Sequence, residues 1–293
     1  MFVASKGGHC DVVKCLLSSS ADMNLCDDDR QSPLSVASMS GRRHVKCLLS
    51  SSADMNLCDD DRQSPMYVAS MSGRCHVKGL FKYGGGVNLY GECRRPPFFQ
   101  ASKSGHFDVV LCLLSYGADI NLCGDDGESP LFLASEYGRC DVVECLLSTG
   151  ADINLCDKRG QSPLFLASEY GRCDVVECLL SSGADINLCD KQGQSPLFIA
   201  LKYGQRCDDV KCLLSSGADI NLCDEDGQSP MLIASDKEHC DVVKCLLSSG
   251  AKINVCNKQG QSPLFIALKY GQRCDVVKCL LSSGADINLC EDE

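Results

Sequence analysis

The sequence predicts an all-α repeat solenoid, a curved, elongated stack of helix-turn-helix repeats joined by β-hairpin-like loops. Three observations predict it. A Ser-Pro or its remnant recurs at Pro33, Pro65, Pro97, Pro130, Pro163, Pro196, Pro230 and Pro263, at separations of 32 to 34 residues, and self-similarity at that period marks stacked repeats. Each interval holds two short apolar segments, divided by a glycine in all but the one that starts at Pro230, the pattern of two amphipathic helices and a break. Both segments fall short of the roughly 12–15 residues that an isolated helix needs to be even marginal in water, so each depends on neighbouring repeats for shelter.

The stretch Ser162 to Cys189, SPLFLASEYGRCDVVECLLSSGADINLC, is the pattern that the rest copies. Ser162 can accept from an orphan backbone N–H, and Pro163 at the first helical position lacks only an N–H that would have no partner. The spacing predicts a first helix from there to about Tyr170, broken by Gly171. In a second helix, Cys173, Val175, Val176, Cys178, Leu179 and Leu180 fill one side. Asp174, Glu177 and Ser181, at i, i+3 and i+7, form a solvated stripe. Gly183 can take the left-handed conformation that closes a helix C-terminus. The extended GADINLC then leads to a polar turn, Asp190-Lys191-Gln192-Gly193, before the next Ser-Pro.

This pattern resembles the ankyrin repeat. SPLF stands where that family has Thr-Pro-Leu-His, Gly-Arg-Cys-Asp-Val-Val stands for Gly-His-x-x-Val-Val, and Leu-Leu-Ser-Ser-Gly-Ala-Asp-Ile-Asn for Leu-Leu-x-x-Gly-Ala-Asp-Val-Asn. The match recurs nine times across the chain. One departure is systematic: Phe132, Phe165, Phe198 and Phe265 occupy the place of the family's His, which removes a polar bridge between repeats and predicts stacked aromatic contacts instead.

We read the chain as a single domain, residues 1–293, with repeats at 1–26 (partial), 27–58, 59–90, 91–123, 124–156, 157–189, 190–223, 224–256 and 257–293. The first begins inside its own first helix, as in a truncated chain or a segment of a longer one. In the second and third, Arg30 and Arg62 replace the turn glycine, and in the first and second Ser20 and Ser52 replace the glycine that ends the second helix. If those serines are left-handed, each costs on the order of 1 kcal/mol. The N-terminal third is therefore expected to be the softest part, with a weak joint at residues 79–97. In repeat seven, Asp209 takes the place of a core valine such as Val175. A buried unpaired carboxylate is costly, so the helix there is expected to rotate or Asp209 to find a partner. The last repeat ends without a polar cap, leaving an apolar face that could self-associate end to end or continue into further chain.

The net charge of −11 argues against nucleic acid as a ligand, because a phosphate-tracking surface needs clustered Lys and Arg. No apolar run approaches the roughly 20 residues of a bilayer span, and MFVASKGGHC lacks a signal-peptide core. No direct membrane insertion is expected, and the cytoplasm, or alternatively the nucleus, is the expected compartment. Of the 24 cysteines, all but Cys93 fall in three columns, beside Cys173, Cys178 and Cys189. Equivalent cysteines of adjacent repeats would lie about 8–10 Å apart, too far for a disulfide, which wants Cα atoms about 4.4–6.8 Å apart. The two helix columns are expected to be small buried groups, and the loop column to be more exposed and more reactive.

Catalysis needs convergent groups, whereas repeats set equivalent groups in parallel rows. His9, His106 and His239 sit at the family's Gly-His position or its equivalent and read as structural; His44 and His76 stand where later repeats have Asp. No enzyme, cofactor or metal site is expected. The resemblance implies a non-enzymatic protein-interaction scaffold or adaptor, contacting another protein through a concave surface of loop tips and first helices. Residue by residue, the tips are Asp28-Asp29, Asp60-Asp61, Asp125-Asp126, Lys158-Arg159, Lys191-Gln192, Glu225-Asp226 and Lys258-Gln259. The helix positions are Glu136-Tyr137, Glu169-Tyr170, Lys202-Tyr203 and Lys269-Tyr270. Tyrosine beside alternating charge suits a protein partner, and packs equally well on the next repeat. Leu111 and Tyr116 add an exposed patch on repeat four. A thiol-based redox or metal response through the loop cysteines, and a passive spacer, are the alternatives.

Overall fold

A computed structural model describes residues 1–40, 45–61, 63–73, 77–83, 96–203, 207–237, 239–269 and 274–288. Those residues form helices and connecting loops, with no strand among them. The chain divides into two compact bodies, Met1–Ala134 with Asp141–Ala151, and Ser135–Cys140 with Asp152–Glu293.

The N-terminal body carries repeats in helix pairs: α1 (Phe2–Gly7) and α2 (Cys10–Ser18), α3 (Pro33–Ser40) and α4 (Val45–Ser50), α5 (Pro65–Met71) and α6 (Val77–Lys82), α7 (Pro97–Ser104) and α8 (Phe107–Ser115). Next come α9 (Pro130–Glu136) and α10 (Cys140–Ser148). The C-terminal body holds α11 (Pro163–Glu169) and α12 (Cys173–Ser181), α13 (Pro196–Tyr203) and α14 (Cys207–Ser215), α15 (Pro230–Asp236) and α16 (Cys240–Ser248), α17 (Pro263–Lys269) and α18 (Cys274–Ser282). First helices stack on first helices, α1 through α7 in one body and α11 through α17 in the other. Second helices form a parallel layer, and each pairs with the first helix of its own repeat. Within each body this is the stack of helix pairs that the ankyrin resemblance implies.

The Ser-Pro start works as read. Ser162 Oγ accepts from the Phe165 N–H at 3.1 Å, and Ser64, Ser129, Ser195, Ser229 and Ser262 cap their helices in the same way. The second helix of the reference repeat buries Val175, Val176 and Leu179 and exposes Asp174, Glu177 and Ser181. It closes through Gly183 at φ 90°, whose N–H donates to Leu180 O while that of Ala184 reaches Leu179 O. Ser20 and Ser52 take the same left-handed turn at φ 58° and 67°, as does Arg30 at φ 56°. Arg62 and most of the 79–97 joint lie outside the described residues.

Four expectations need correction. Asp209 is fully buried, and neither carboxylate oxygen has a hydrogen-bond partner. The helix has not rotated to spare it: Val210 and Leu213 remain buried as Val176 and Leu179 are, so the core face holds the register and the carboxylate is carried in with it. Phe132, Phe165 and Phe198 are buried, but the stacked pair among the described residues is Phe81 with Tyr116, centroids 4.5 Å apart; each phenylalanine fills its own interior site. The helix cysteines are less buried than expected. Among the described residues only Cys112 and Cys145 are buried, while Cys10, Cys140, Cys173 and Cys240 are intermediate, because they start the second helix at the edge of its apolar side. Cys58 is disulfide-bonded, with a partner outside the described residues. The distance argument applies only to equivalent cysteines of adjacent repeats.

Candidate protein-interaction surface

Among the described residues the tips are built on an Asp at the base, replaced by Asn257 in the last repeat and by Gly124 in the fifth. Asp157 Oδ1 accepts from the N–H groups of Arg159 and Gln161, at 2.8 and 2.9 Å, while Asp157 N donates to Gln161 O at 3.0 Å and closes the loop. Asp190 and Asp224 repeat the arrangement. Asp157 is buried, with Arg159 Nε 3.1 Å from Oδ2. Anchoring the base inward leaves the tip side chains outward: Lys158, Arg159, Lys191, Gln192, Glu225, Asp226, Lys258 and Gln259 are all exposed.

Successive tips are joined by their backbones. In the C-terminal body Lys191 N donates to Arg159 O, Glu225 N to Gln192 O and Lys258 N to Asp226 O, each at 2.9 Å. This approach requires glycine. A Cβ on Gly160, Gly193 or Gly227 would come within 3.0, 3.1 or 3.2 Å of the donating nitrogen of the next tip. In the N-terminal body Arg30 occupies the equivalent position, and the Asp60 N to Asp29 O bond is longer, 3.3 Å. A second inter-repeat rung runs through asparagine: Asn154, Asn187, Asn221 and Asn254 accept on Oδ1 from the N–H groups of Asp185, Asp219, Lys252 and Asp286, at 2.8–3.0 Å. Asn24 does the same for Asp54.

Beside the basic tips, the helix positions converge in part. Glu169 is half-buried, and burial pushes its carboxyl up, with Asp190 adding to the shift and Arg159 and Lys202 opposing it. Tyr170 is 49% exposed and Tyr203 56%, so these rings are not consumed by packing. Burial of the Tyr170 phenol, with Glu169, Glu136 and Tyr137 nearby, raises it, against the pull of Arg159. Lys202 Nζ sits 5.8 Å from the Phe198 ring and 5.4 Å from the Tyr203 ring. Arg159, Glu169, Tyr170 and Lys202 therefore share one patch. Glu136 and Tyr137 are half-buried, Lys269 is exposed, and Tyr270 lies outside the described residues.

The two bodies carry different tip charge. Asp28, Asp29, Asp60, Asp61, Asp125 and Asp126 are exposed and uniformly acidic, whereas the C-terminal tips alternate, with Lys158, Arg159, Lys191 and Lys258 against Glu225 and Asp226. Two clefts lie on the second-helix layer, on either side of α8. One of about 610 Å³ is lined by Val77, Lys78, Asp108 and Cys112, and one of about 550 Å³ by Phe107, Asp141, Glu144 and Cys145; both share Leu111, which is 42% exposed. Tyr116 is exposed on one edge while its ring stacks on Phe81.

Sequence reading missed the asparagine rungs, although recurrence of the Asn at one place in every full repeat was a visible signal. It also missed Arg172, whose Nε donates to Glu136 O at 3.0 Å. This bridge serves the role that His106 plays in the other body, where Nε2 donates to Met71 O at 2.8 Å.

The loop thiols differ from expectation. They are half-buried like the helix thiols, with Cys156, Cys189 and Cys223 donating to the carbonyl two residues back at 3.3–3.4 Å. Burial first, then the flanking carboxylates, raises each of them. Thiolate is the reactive form, so this environment works against reactivity.

The family model for ankyrin repeats (three copies) matches residues 1–90, 76–157, 98–190, 131–222 and 197–290. Among solved structures, the crystal structure of the human ASB11 ankyrin repeat domain superposes with a TM-score of 0.68 at 26% identity, over 74% of this chain and 97% of that one. None of the curated proteins gives a significant match. No helix among the described residues is long and apolar enough to cross a membrane. Matched from residue 1 to residue 290 by the family model and built from the helix pairs that the model describes, the chain belongs to the ankyrin repeat family.

Proposed function

We propose that this chain is a non-enzymatic scaffold or adaptor that holds another protein against its hairpin tips and the exposed side of its first helices. Ankyrin repeats are protein–protein interaction modules, and the observation that carries the reading to these residues is the glycine-dependent ladder of tip-to-tip hydrogen bonds. It fixes Lys158, Arg159 and Lys191 in register with the half-exposed Tyr170 and Tyr203. A surface ordered before binding loses less conformational entropy on association, and tyrosine adds contact area at low entropic cost. The uniformly acidic N-terminal tips favour a partner segment rich in Lys or Arg; the C-terminal tips favour one of alternating charge.

The experiment is affinity capture from cell lysate with the full chain, followed by mass spectrometry, beside a variant carrying Tyr137→Ala, Tyr170→Ala and Tyr203→Ala. Circular dichroism checks that the variant keeps its helix content. Proteins retained by the wild type and lost by the folded variant support the reading. An identical set from both, or none from either, overturns it.

A further inference from the structure

Repeats one and five to nine carry cysteine at the first and sixth positions of the second helix, as in Cys240 and Cys245 of α16 and Cys274 and Cys279 of α18, whereas repeat two has none at the first position, repeat three has Gly79 at the sixth and repeat four has Phe107 at the first. Five residues at about 100° each turn the helix through about 500°, so the two side chains point about 140° apart around the axis. In the second-helix layer α6 lies between α4 and α8 in one body, and α14 between α12 and α16, and α16 between α14 and α18, in the other. One column therefore faces forward and the other back. A sixth-position cysteine meets the first-position cysteine of the preceding repeat, not its own equivalent.

The structure gives this meeting once in each body. In the N-terminal body Cys10 of α2 is the thiol neighbour of Cys47 of α4. In the C-terminal body Cys279 of α18 has Cys240 of α16 as its thiol neighbour. All four are free, and all are partly exposed.

We propose that Cys10 with Cys47, and Cys240 with Cys279, are oxidation sites that close into disulfides between successive repeats when the thiol–disulfide pool turns oxidising. The oxidant is a low-molecular-weight disulfide such as oxidised glutathione. One protein thiolate attacks a sulfur of the small disulfide, forming a mixed disulfide and expelling a thiolate that takes up a proton. The second protein thiolate attacks the protein sulfur of that mixed disulfide, forming the protein S–S bond and expelling the second small thiol. The protein gives up two electrons and two protons, and the small disulfide gains them. Burial raises the Cys47 and Cys279 thiols, so closure is slow at neutral pH and speeds as pH rises. Each bond ties one second helix to the next and restrains the joint between repeats.

The test treats the folded full chain with oxidised glutathione, traps free thiols with alkylating reagent, and maps cross-linked peptides by mass spectrometry. Linked peptides Cys10–Cys47 and Cys240–Cys279, lost on adding dithiothreitol, are expected. Cys279→Ser should remove the Cys240 link, leave Cys240 as a glutathione mixed disulfide, and leave Cys10–Cys47 intact; the loop variant Cys256→Ser should leave both links. Mixed disulfides alone at these four positions, links scattered among columns, or links that form only after denaturation would overturn the proposal. Since the variants change one sulfur to oxygen and the wild-type map stands alone, a misfolded variant does not decide the outcome.

Discussion

Replacing Asp209 with valine should stabilise the C-terminal body, and the size of the gain follows from its neighbours. The equivalent positions are Val12 in the first repeat, which is exposed, and Val109, Val142, Val175, Val242 and Val276, all buried, so the site inside the stack is shaped for valine. Asp209 puts two carboxylate oxygens there, both buried and without a hydrogen-bond partner. Leaving a buried polar group unsatisfied costs about 1–3 kcal/mol, and more for a charged one. Burying a valine side chain contributes about 1.5–3 kcal/mol. Since the two effects overlap in one small volume and need not add, a net gain of about 2–5 kcal/mol is expected. Amide exchange of α14 and the urea midpoint of the full chain, followed by circular dichroism, measure it. Asp209→Asn, which keeps the unsatisfied polar atoms, should recover only part of the gain. Asp208→Val is the control, because Asp208 is exposed and holds Lys211 at 3.7 Å, a surface pair that contributes little. If Asp209→Val left α14 exchange and the urea midpoint unchanged, the claim of a buried unsatisfied carboxylate would fail.

Ser20→Gly and Ser52→Gly should each stabilise the N-terminal body by about 1 kcal/mol, because both serines are held at positive φ; urea unfolding of each variant checks this, and Arg30→Gly should slow exchange of the Asp60 amide as its bond to Asp29 shortens. Asn187→Ala removes the acceptor for the Asp219 N–H and should cost about 1 kcal/mol, with faster hydrogen exchange at Asp219 as its specific sign. In native maleimide labelling followed by mass spectrometry, the exposed Cys15 and Cys274 should react first and the buried Cys112 and Cys145 last. Cys156 and Cys189, whose thiols are raised above their ordinary value, should be slow at neutral pH and accelerate as pH rises and the thiolate forms.

Much of the fold was legible because the repeat encodes it locally. Ser162, Pro163, Gly171 and Gly183 each do one stereochemical task, and copying the segment copies the task. What was not legible depends on where one copy meets the next. The rotation expected to spare Asp209 would have cost the burial of Val210 and Leu213, and the core outweighed one carboxylate. Tyr170 and Tyr203 left two readings open in the sequence, and their exposure decides against full packing. The asparagine rung was present in the letters as a recurring Asn, but only the distance from Asn187 Oδ1 to Asp219 N shows that its partner is the following repeat.

The same limit explains the cysteines. Within one helix, Cys173 and Cys178 diverge by about 140°, and read inside a single repeat that divergence argues against any pairing. Stacking reverses its meaning: a side chain turned away from its own repeat is turned toward a neighbouring one, and two columns pointing opposite ways interlock along the pile. Tip register obeys a similar rule, since Gly160 matters less for its own turn than for the Lys191 N–H that approaches it from the next hairpin. In a solenoid, stability is a sum of unit and interface terms, so a residue that looks idle in one repeat is best judged at the interface. By that criterion Arg30, which holds the Asp29 and Asp60 tips 0.4 Å farther apart than the glycine joints hold theirs (3.3 against 2.9 Å), weakens an interface. The acidic tips there are less tightly registered than the mixed-charge tips of the C-terminal body, and can act through their summed field rather than through fixed geometry.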